Sequence, residues 1–310
     1  MYEKERAQIV DSLRDGAAKS WIIVGPHGVG KEDFAKNVVK VLTHDFNEYN
    51  PCVQWISCGL TDAAKKEIQK AILAGEKIED KEWATKTEIT VDDVREGCHF
   101  LSLKSNKIKI LVFNLADDMN ENAQNALLKT LEEPYPNTLI LLLCENIGKL
   151  VRTILSRCQK ITLKAPSKEE FKKELLKTHP ELSETELDLL SFLADNVPGM
   201  GKEIVEQDGL AIFDRVQHLF VRRDQLDAQD LLLFSEQVSK NENVFDLTQK
   251  IILKCLTALA EKYVAIDMEK AYKLSNLYEE MKLYFTQIDS MNLDKKQALV
   301  SIVYQISEAL

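Results

Sequence analysis

Gly25-Pro26-His27-Gly28-Val29-Gly30-Lys31-Glu32 fits the phosphate-cradling pattern G-x-x-x-x-G-K-[ST] at every defined position except the last. In that pattern backbone N–H groups and the Lys hold phosphate, and the terminal hydroxyl binds Mg²⁺. Glu32 has no such hydroxyl, and its carboxylate is expected close to any phosphate held there. The stretch predicts the strand–loop–helix frame of a nucleotide-binding α/β domain with a defective metal position. Gly25, Gly28, Gly30 and Lys31 are the candidate anion-holding residues. Lys31 reads either as a leftover that neutralises Glu32 or as the centre of a weak anion site at a helix N-terminus, in preference to a true ATP site. His27 stands at a variable position and reads as loop filler.

Outward from this loop, the first half of the chain alternates strand-like and helix-like patterns, which predicts a parallel sheet with helices on its faces. The expected strands are Trp21 to Val24, Val53 to Ser57, Ile108 to Phe113, Leu139 to Cys144 and Gln159 to Leu163. Two of them are near-continuous apolar runs, as strands buried on both faces require. After Leu163 the strand patterns stop at Ala165-Pro166. Ser167 with Glu170 and Ser183 with Glu186 form capping boxes that open two helices. Asn196-Val197-Pro198-Gly199 interrupts before a third. From about Leu210 onward the chain reads as helix. Leu274, Leu277, Tyr278, Met281, Tyr284, Phe285 and Ile288 form one stripe at spacings of three and four, the pattern of a bundle core or a partner surface.

The chain has 310 residues, a net charge of −10 and 45% hydrophobic content, an ordinary composition for a soluble protein. The acidic balance argues against autonomous DNA binding, which draws its affinity from Lys and Arg on phosphates. No run approaches the ~18 apolar residues of a membrane span. The segment Met1 to Arg14 lacks the apolar stretch of a secretory signal, so the expectation is a cytoplasmic protein without membrane contact. Six cysteines include no CxxC pair; Cys144 and Cys255 lie in apolar runs and read as buried free thiols.

A nucleotide-hydrolysing enzyme of this kind also needs an acidic pair at the end of a buried strand, one carboxylate for Mg²⁺ and one for the attacking water. The strand ending at Phe113 leads instead into Asn114-Leu115-Ala116-Asp117. Leu115 can neither accept a proton nor orient a water. Asp117 and Asp118 lie further on, where a helical turn is expected to have moved them off the strand end. Together with Glu32, this second defect makes hydrolysis by this chain unexpected.

The run Asp117 to Pro134, with its Ala123-Gln124-Asn125-Ala126-Leu127-Leu128-Lys129-Thr130-Leu131-Glu132-Glu133-Pro134 core, closely resembles the segment after the Walker B strand in bacterial clamp-loader subunits. With the Gly25–Lys31 loop before it and Ser156-Arg157-Cys158 after it, in the family's order, the chain resembles the DNA polymerase III clamp-loader family of AAA+ proteins. The resemblance covers Ala17 to Leu163, and Asn292 to Leu299 is similar to the end of the family's collar. Its defects match the delta-prime branch, not the gamma or tau motor subunits.

The resemblance implies an AAA+ α/β domain with a five-stranded parallel sheet over 1–164, a helical lid over 165–208 and an all-α collar over 209–310. It implies a subunit without ATPase activity of its own, beside gamma or tau motor subunits and a delta subunit. The sliding clamp is an indirect partner, and primed DNA is met through the assembled complex. ATP is held by neighbours, and no cofactor is expected here. Arg157, flanked by Ser156 and Cys158, is the expected arginine finger for a neighbour's γ-phosphate; Arg152 either supports it or faces solvent. A zinc module found in many relatives is not expected, because Cys52, Cys58, Cys98 and His99 have poor ligand spacing. Met200 stands where a nucleotide-sensing arginine is usual, and Cys144 ends a strand where a polar sensor is usual. The rivals are a hydrolysing motor subunit using Asp117 or Asp118 as a displaced metal ligand, and a stand-alone module using the loop as a peptide or anion pocket.

Overall fold

The structure is a computed structural model that describes residues 2–16, 19–44, 50–58, 87–221, 228–291 and 293–309. Asn292 lies outside the described residues. The chain divides into two compact units, Met1–Ala165 and Pro166–Leu310.

The first unit opens with helix α1 (Glu3–Arg14), whose Ile9 and Val10 are buried. Strand β1 (Ser20–Val24) leads into the glycine loop and then helix α2 (Lys31–Thr43). Next come β2 (Val53–Ile56), α3 (Val91–Ser102), β3 (Lys109–Phe113), a 3₁₀ turn at Ala116–Asp118 and α4 (Glu121–Glu132). Strand β4 (Thr138–Cys144), a second 3₁₀ turn at Ile147–Lys149, the single-turn α5 (Arg152–Leu155) and β5 (Gln159–Thr162) complete it. All five expected strands are present, each within a residue or so of its predicted bounds.

The sheet runs β2-β3-β4-β1-β5 with every pairing parallel. Residues of β3 and β4 are buried throughout, because helices cover both faces and leave no solvated side. Chain order leaves β1 for the far edge, returns through β3 and β4, and then crosses β1 to reach β5. The loops after β1 and β4 therefore open side by side at the carboxyl edge of the sheet, where ligands of such sheets bind. Their register is set at Val24↔Cys144, and the Gly25 N–H continues it by donating to the Cys144 carbonyl at 3.2 Å.

One buried cation supports this unit away from the loop. Lys109, 7% exposed at the start of β3, donates from Nζ to the Phe100 and Leu103 carbonyls, each at 2.6 Å, and so closes the end of α3. Those carbonyls have no helical partner of their own. Lys109→Met keeps the stem but strands two acceptors, and is expected to cost about 1–3 kcal/mol in urea denaturation of the full chain.

The second unit is helical: α6 (Lys168–Leu176), α7 (Glu184–Leu193), α8 (Pro198–Glu206), α9 (Gly209–Val221), α10 (Ala228–Ser239), α11 (Glu242–Val264), α12 (Met268–Met291) and α13 (Lys295–Ala309). Both capping boxes form as the sequence requires, with the Ser167 and Ser183 hydroxyls accepting from the Glu170 and Glu186 N–H groups. Pro198 starts α8, where its missing N–H costs nothing. The apolar stripe of α12 is core: Leu274, Leu277, Met281, Phe285 and Ile288 are buried, with Tyr278 and Tyr284 packed partly against them.

Where the sequence divides these helices at residue 208, one apolar cluster runs without a break from Phe171 and Leu175 through Leu190 and Ile204 to Phe213, Phe245 and Leu299. Gly209 lies where the two parts meet: a Cβ there would stand 2.6 Å from Ile204 Cγ2 and 3.0 Å from Leu247 Cδ2.

Candidate functional site

The glycine loop has the conformation its sequence demands. Gly28 and Gly30 take φ values of 75° and 91°, a region that side-chain-bearing residues avoid. At Gly25 the constraint is room: an added Cβ would stand 3.0 Å from the Leu163 backbone oxygen. Gly30 caps α2, so the loop lies at the positive end of that helix.

Lys31 is directed into the loop it belongs to. Its Nζ, on a side chain 7% exposed, donates to the Gly25 carbonyl at 2.9 Å, the Pro26 carbonyl at 2.9 Å and Glu145 Oε1 at 3.0 Å. Its ionic partner is thus Glu145 from the end of β4, not Glu32 as one reading of the sequence had it. Glu32 turns outward and pairs with Lys36 at 2.6 Å, one helical turn on. Its carboxylate is not beside the Lys31 ammonium, because the first turn of α2 points the two side chains in different directions. His27 also differs from the filler expected of it: its Nδ1 meets the same Glu145 oxygen at 3.1 Å.

The two positions that follow β3, Asn114 and Leu115, carry no carboxylate. The Asn114 N–H donates to the Ile56 carbonyl at 2.7 Å, which extends the ladder one residue. Leu115 then takes φ 59° and ψ 61°, a left-handed conformation that costs a bulky residue roughly 1–2 kcal/mol. This kink launches the 3₁₀ turn and swings Asp117 inward. Asp117, 8% exposed, accepts from the Asn146 N–H at 2.9 Å and from the Glu145 N–H at 3.2 Å. It remains beside the strand ends, contrary to the expected displacement, but as the anchor of the β4 loop.

Asp118 lies 3.9 Å from Lys149 and receives the Cys58 thiol at 3.8 Å. Burial, then repulsion from Asp117, raises its carboxyl above the usual range. Among the described residues no cluster of three or more His, Cys, Asp or Glu is placed to hold a metal ion. Cys144 is fully buried beneath this loop, and burial followed by the nearby Asp117 charge pushes its thiol up to about 12.

Arg157 lies elsewhere. It follows α5 and precedes β5 by two residues, at the amino edge of the sheet, whereas the glycine loop is at the carboxyl edge. Since β5 and β1 run parallel from Trp21↔Gln159 to Val24↔Thr162, the two features are separated by at least the strand length of roughly 13 Å. The fold does not bring Arg157 to the chain's own loop. Its guanidinium is held at the surface by Glu132 Oε1 at 2.5 Å, the Thr153 carbonyl at 2.9 Å and Ser156 Oγ at 3.2 Å.

Ser156 therefore orients Arg157 directly. Cys158 packs against the core, and burial pushes its thiol up to about 12, so it is protonated at neutral pH and serves as an apolar anchor. Arg152 is exposed and makes no hydrogen bond to Arg157. In the second unit, Met200 packs against the apolar cluster.

The sequence does not single out Glu145 or Glu132 as site residues, and offers Asp117 only as a displaced metal ligand. The signal for Glu145 was available in part, since β4 adjoins β1 in any sheet of this order and the residue after its last apolar position must face the loop.

A family described as DNA polymerase III, delta subunit, matches residues 4–167, more than half of the chain and nearly the whole first unit. The chain belongs to this clamp-loader family of AAA+ proteins. Among clamp-loader relatives, the delta-prime subunit of Haemophilus influenzae is 31% identical over 193 residues, covering 61% of this chain and 55% of the relative. The gamma/tau subunit of Mycoplasma genitalium is 25% identical over 288 residues, covering 92% of this chain and 43% of that protein. The chain spans about half the length of the curated relatives it matches. The clamp-loader fold is also found in a gamma-subunit-related protein of Thermotoga maritima, with a TM-score of 0.56 at 18% identity, covering 98% of this chain and 99% of that one. Among the described residues, no helix of this clamp-loader subunit is long and apolar enough to cross a membrane.

Proposed function

We propose that this clamp-loader subunit is of the delta-prime type: it does not hydrolyse ATP, and it supports ATP-dependent loading of the sliding clamp onto primed DNA. It works beside gamma or tau motor subunits and a delta subunit, and meets the clamp and DNA through the assembly. The observation that carries this reading is the end of β3, where Leu115 occupies the position of the catalytic base and Asp117 is engaged with backbone N–H groups. A water there has no carboxylate to orient it. Arg157 then supplies its charge in trans to ATP bound by an adjacent motor subunit.

A motor-type reading draws on the gamma/tau likeness, which extends over 92% of the chain where the delta-prime likeness extends over 61%. ATP turnover by the purified full chain separates the two. No turnover above buffer is expected; turnover by this chain alone, lost on Asp117→Asn, would establish the motor-type reading instead.

A further inference from the structure

The geometry points to Glu145 as a built-in competitor for phosphate, a carboxylate that keeps the loop lysine engaged and so excludes polyphosphate from the loop. An ammonium carries three N–H donors, and all three of Lys31 have acceptors within 3.0 Å: the Gly25 and Pro26 carbonyls and Glu145 Oε1. A phosphate entering the loop must break at least one of these bonds. It must also approach a like charge held against a nearly buried lysine.

The contact is constructed rather than a chance meeting of surface chains. The register of β1 and β4 puts Glu145 one residue beyond the Gly25–Cys144 hydrogen bond, directly across from the loop. Asp117 pins the Glu145 and Asn146 N–H groups, which fixes the origin of the side chain. His27, from within the loop, holds the same Oε1 that Lys31 does. Two residues of the loop thus meet one carboxylate, while Asp117, from a separate segment, fixes the backbone that carries it.

Glu32, the residue that breaks the sequence pattern, has no part in this exclusion, because it pairs with Lys36. The inference concerns occupancy of the loop and stands apart from the reading on hydrolysis: a loop can admit phosphate without catalysing its transfer.

The test is calorimetric titration of the full chain with inorganic pyrophosphate. Glu145→Gln, which keeps size and hydrogen-bonding capacity but removes the charge, is expected to bind at least tenfold more tightly than the unaltered chain. Glu145→Ala is expected to show the same gain if the amide side chain perturbs folding. Glu32→Thr, which restores the sequence pattern, is expected to show no gain, and adding Lys31→Ala to Glu145→Gln should abolish it. Equal affinity of the unaltered chain and both Glu145 variants, including no binding by any of them, would overturn the inference. So would a gain that persists without Lys31.

Discussion

Replacing Arg157 with Ala in an assembled clamp loader is expected to lower ATP turnover at the adjacent motor site by roughly 10³–10⁵-fold, the range for an arginine supplied in trans. Total turnover would then fall to what the remaining sites contribute. The isolated chain should fold as before, because the guanidinium is a surface group whose partners are Glu132, Thr153 and Ser156. Arg157→Lys should fail almost as fully, since an ammonium cannot reproduce the planar fork that spans two phosphate oxygens. The ion pair with Glu132 adds a second arm. In the separate subunit this pair parks the guanidinium, so it must be released when a neighbour's phosphate arrives. Glu132→Gln is expected not to lower turnover. Steady-state ATPase measurements on reconstituted complexes decide the matter: an unchanged rate with Arg157→Ala would remove the finger from this subunit.

The largest expected loss of stability comes from Phe113→Ala. Phe113 ends β3, is fully buried, and lies across from Ile56 of β2 and Leu142 of β4. Truncating a buried Phe costs about 3–5 kcal/mol, from lost transfer energy and from the cavity left behind. For a unit of this size that corresponds to a fall of roughly 6–20 °C in its melting temperature. The cavity would open directly before the left-handed turn at Leu115, which depends on its surroundings to stay strained. Scanning calorimetry of the full chain should show the loss in the transition of the first unit, with the helical unit little changed. Leu103→Ala, at a position 51% exposed, serves as the control and should shift stability by no more than about 0.5 kcal/mol. A Phe113→Ala loss as small as the control's would mean that the strand end is not packed as described.

Much of this architecture was legible in the sequence because its signals are local and redundant. Short continuous apolar runs bounded by turn signals fit strands buried on both faces, and Ser-x-x-Glu before an apolar period is a helix-start signature. Equally plain was that Leu115, just after β3, carries no group that accepts a proton. The site was harder. The sequence offers Glu32 as a charge partner of Lys31 and gives His27 no task. Both readings failed for the same reason: a residue's neighbours in the chain are not its neighbours across a sheet. Glu32 and Lys31 are adjacent in sequence but leave α2 in different directions, whereas Lys31 and Glu145 are 114 positions apart and in contact. The apolar cluster shared by the helices of the second unit is not legible in the sequence either, since capping signals mark where helices begin and not which helices share a core.

By itself, then, the sequence determined the strand set, the helix starts, the absence of a carboxylate at Asn114 and Leu115 and the loop that must follow β1, because each depends on residue type and short-range spacing. Only the tertiary structure decided which charge meets Lys31, what Asp117 is for, and that Arg157 faces away from the chain's own loop. Those outcomes depend on the strand order β2-β3-β4-β1-β5. Parallel pairing sets the β1 and β4 loops side by side and puts the entrance to β5 at the opposite edge.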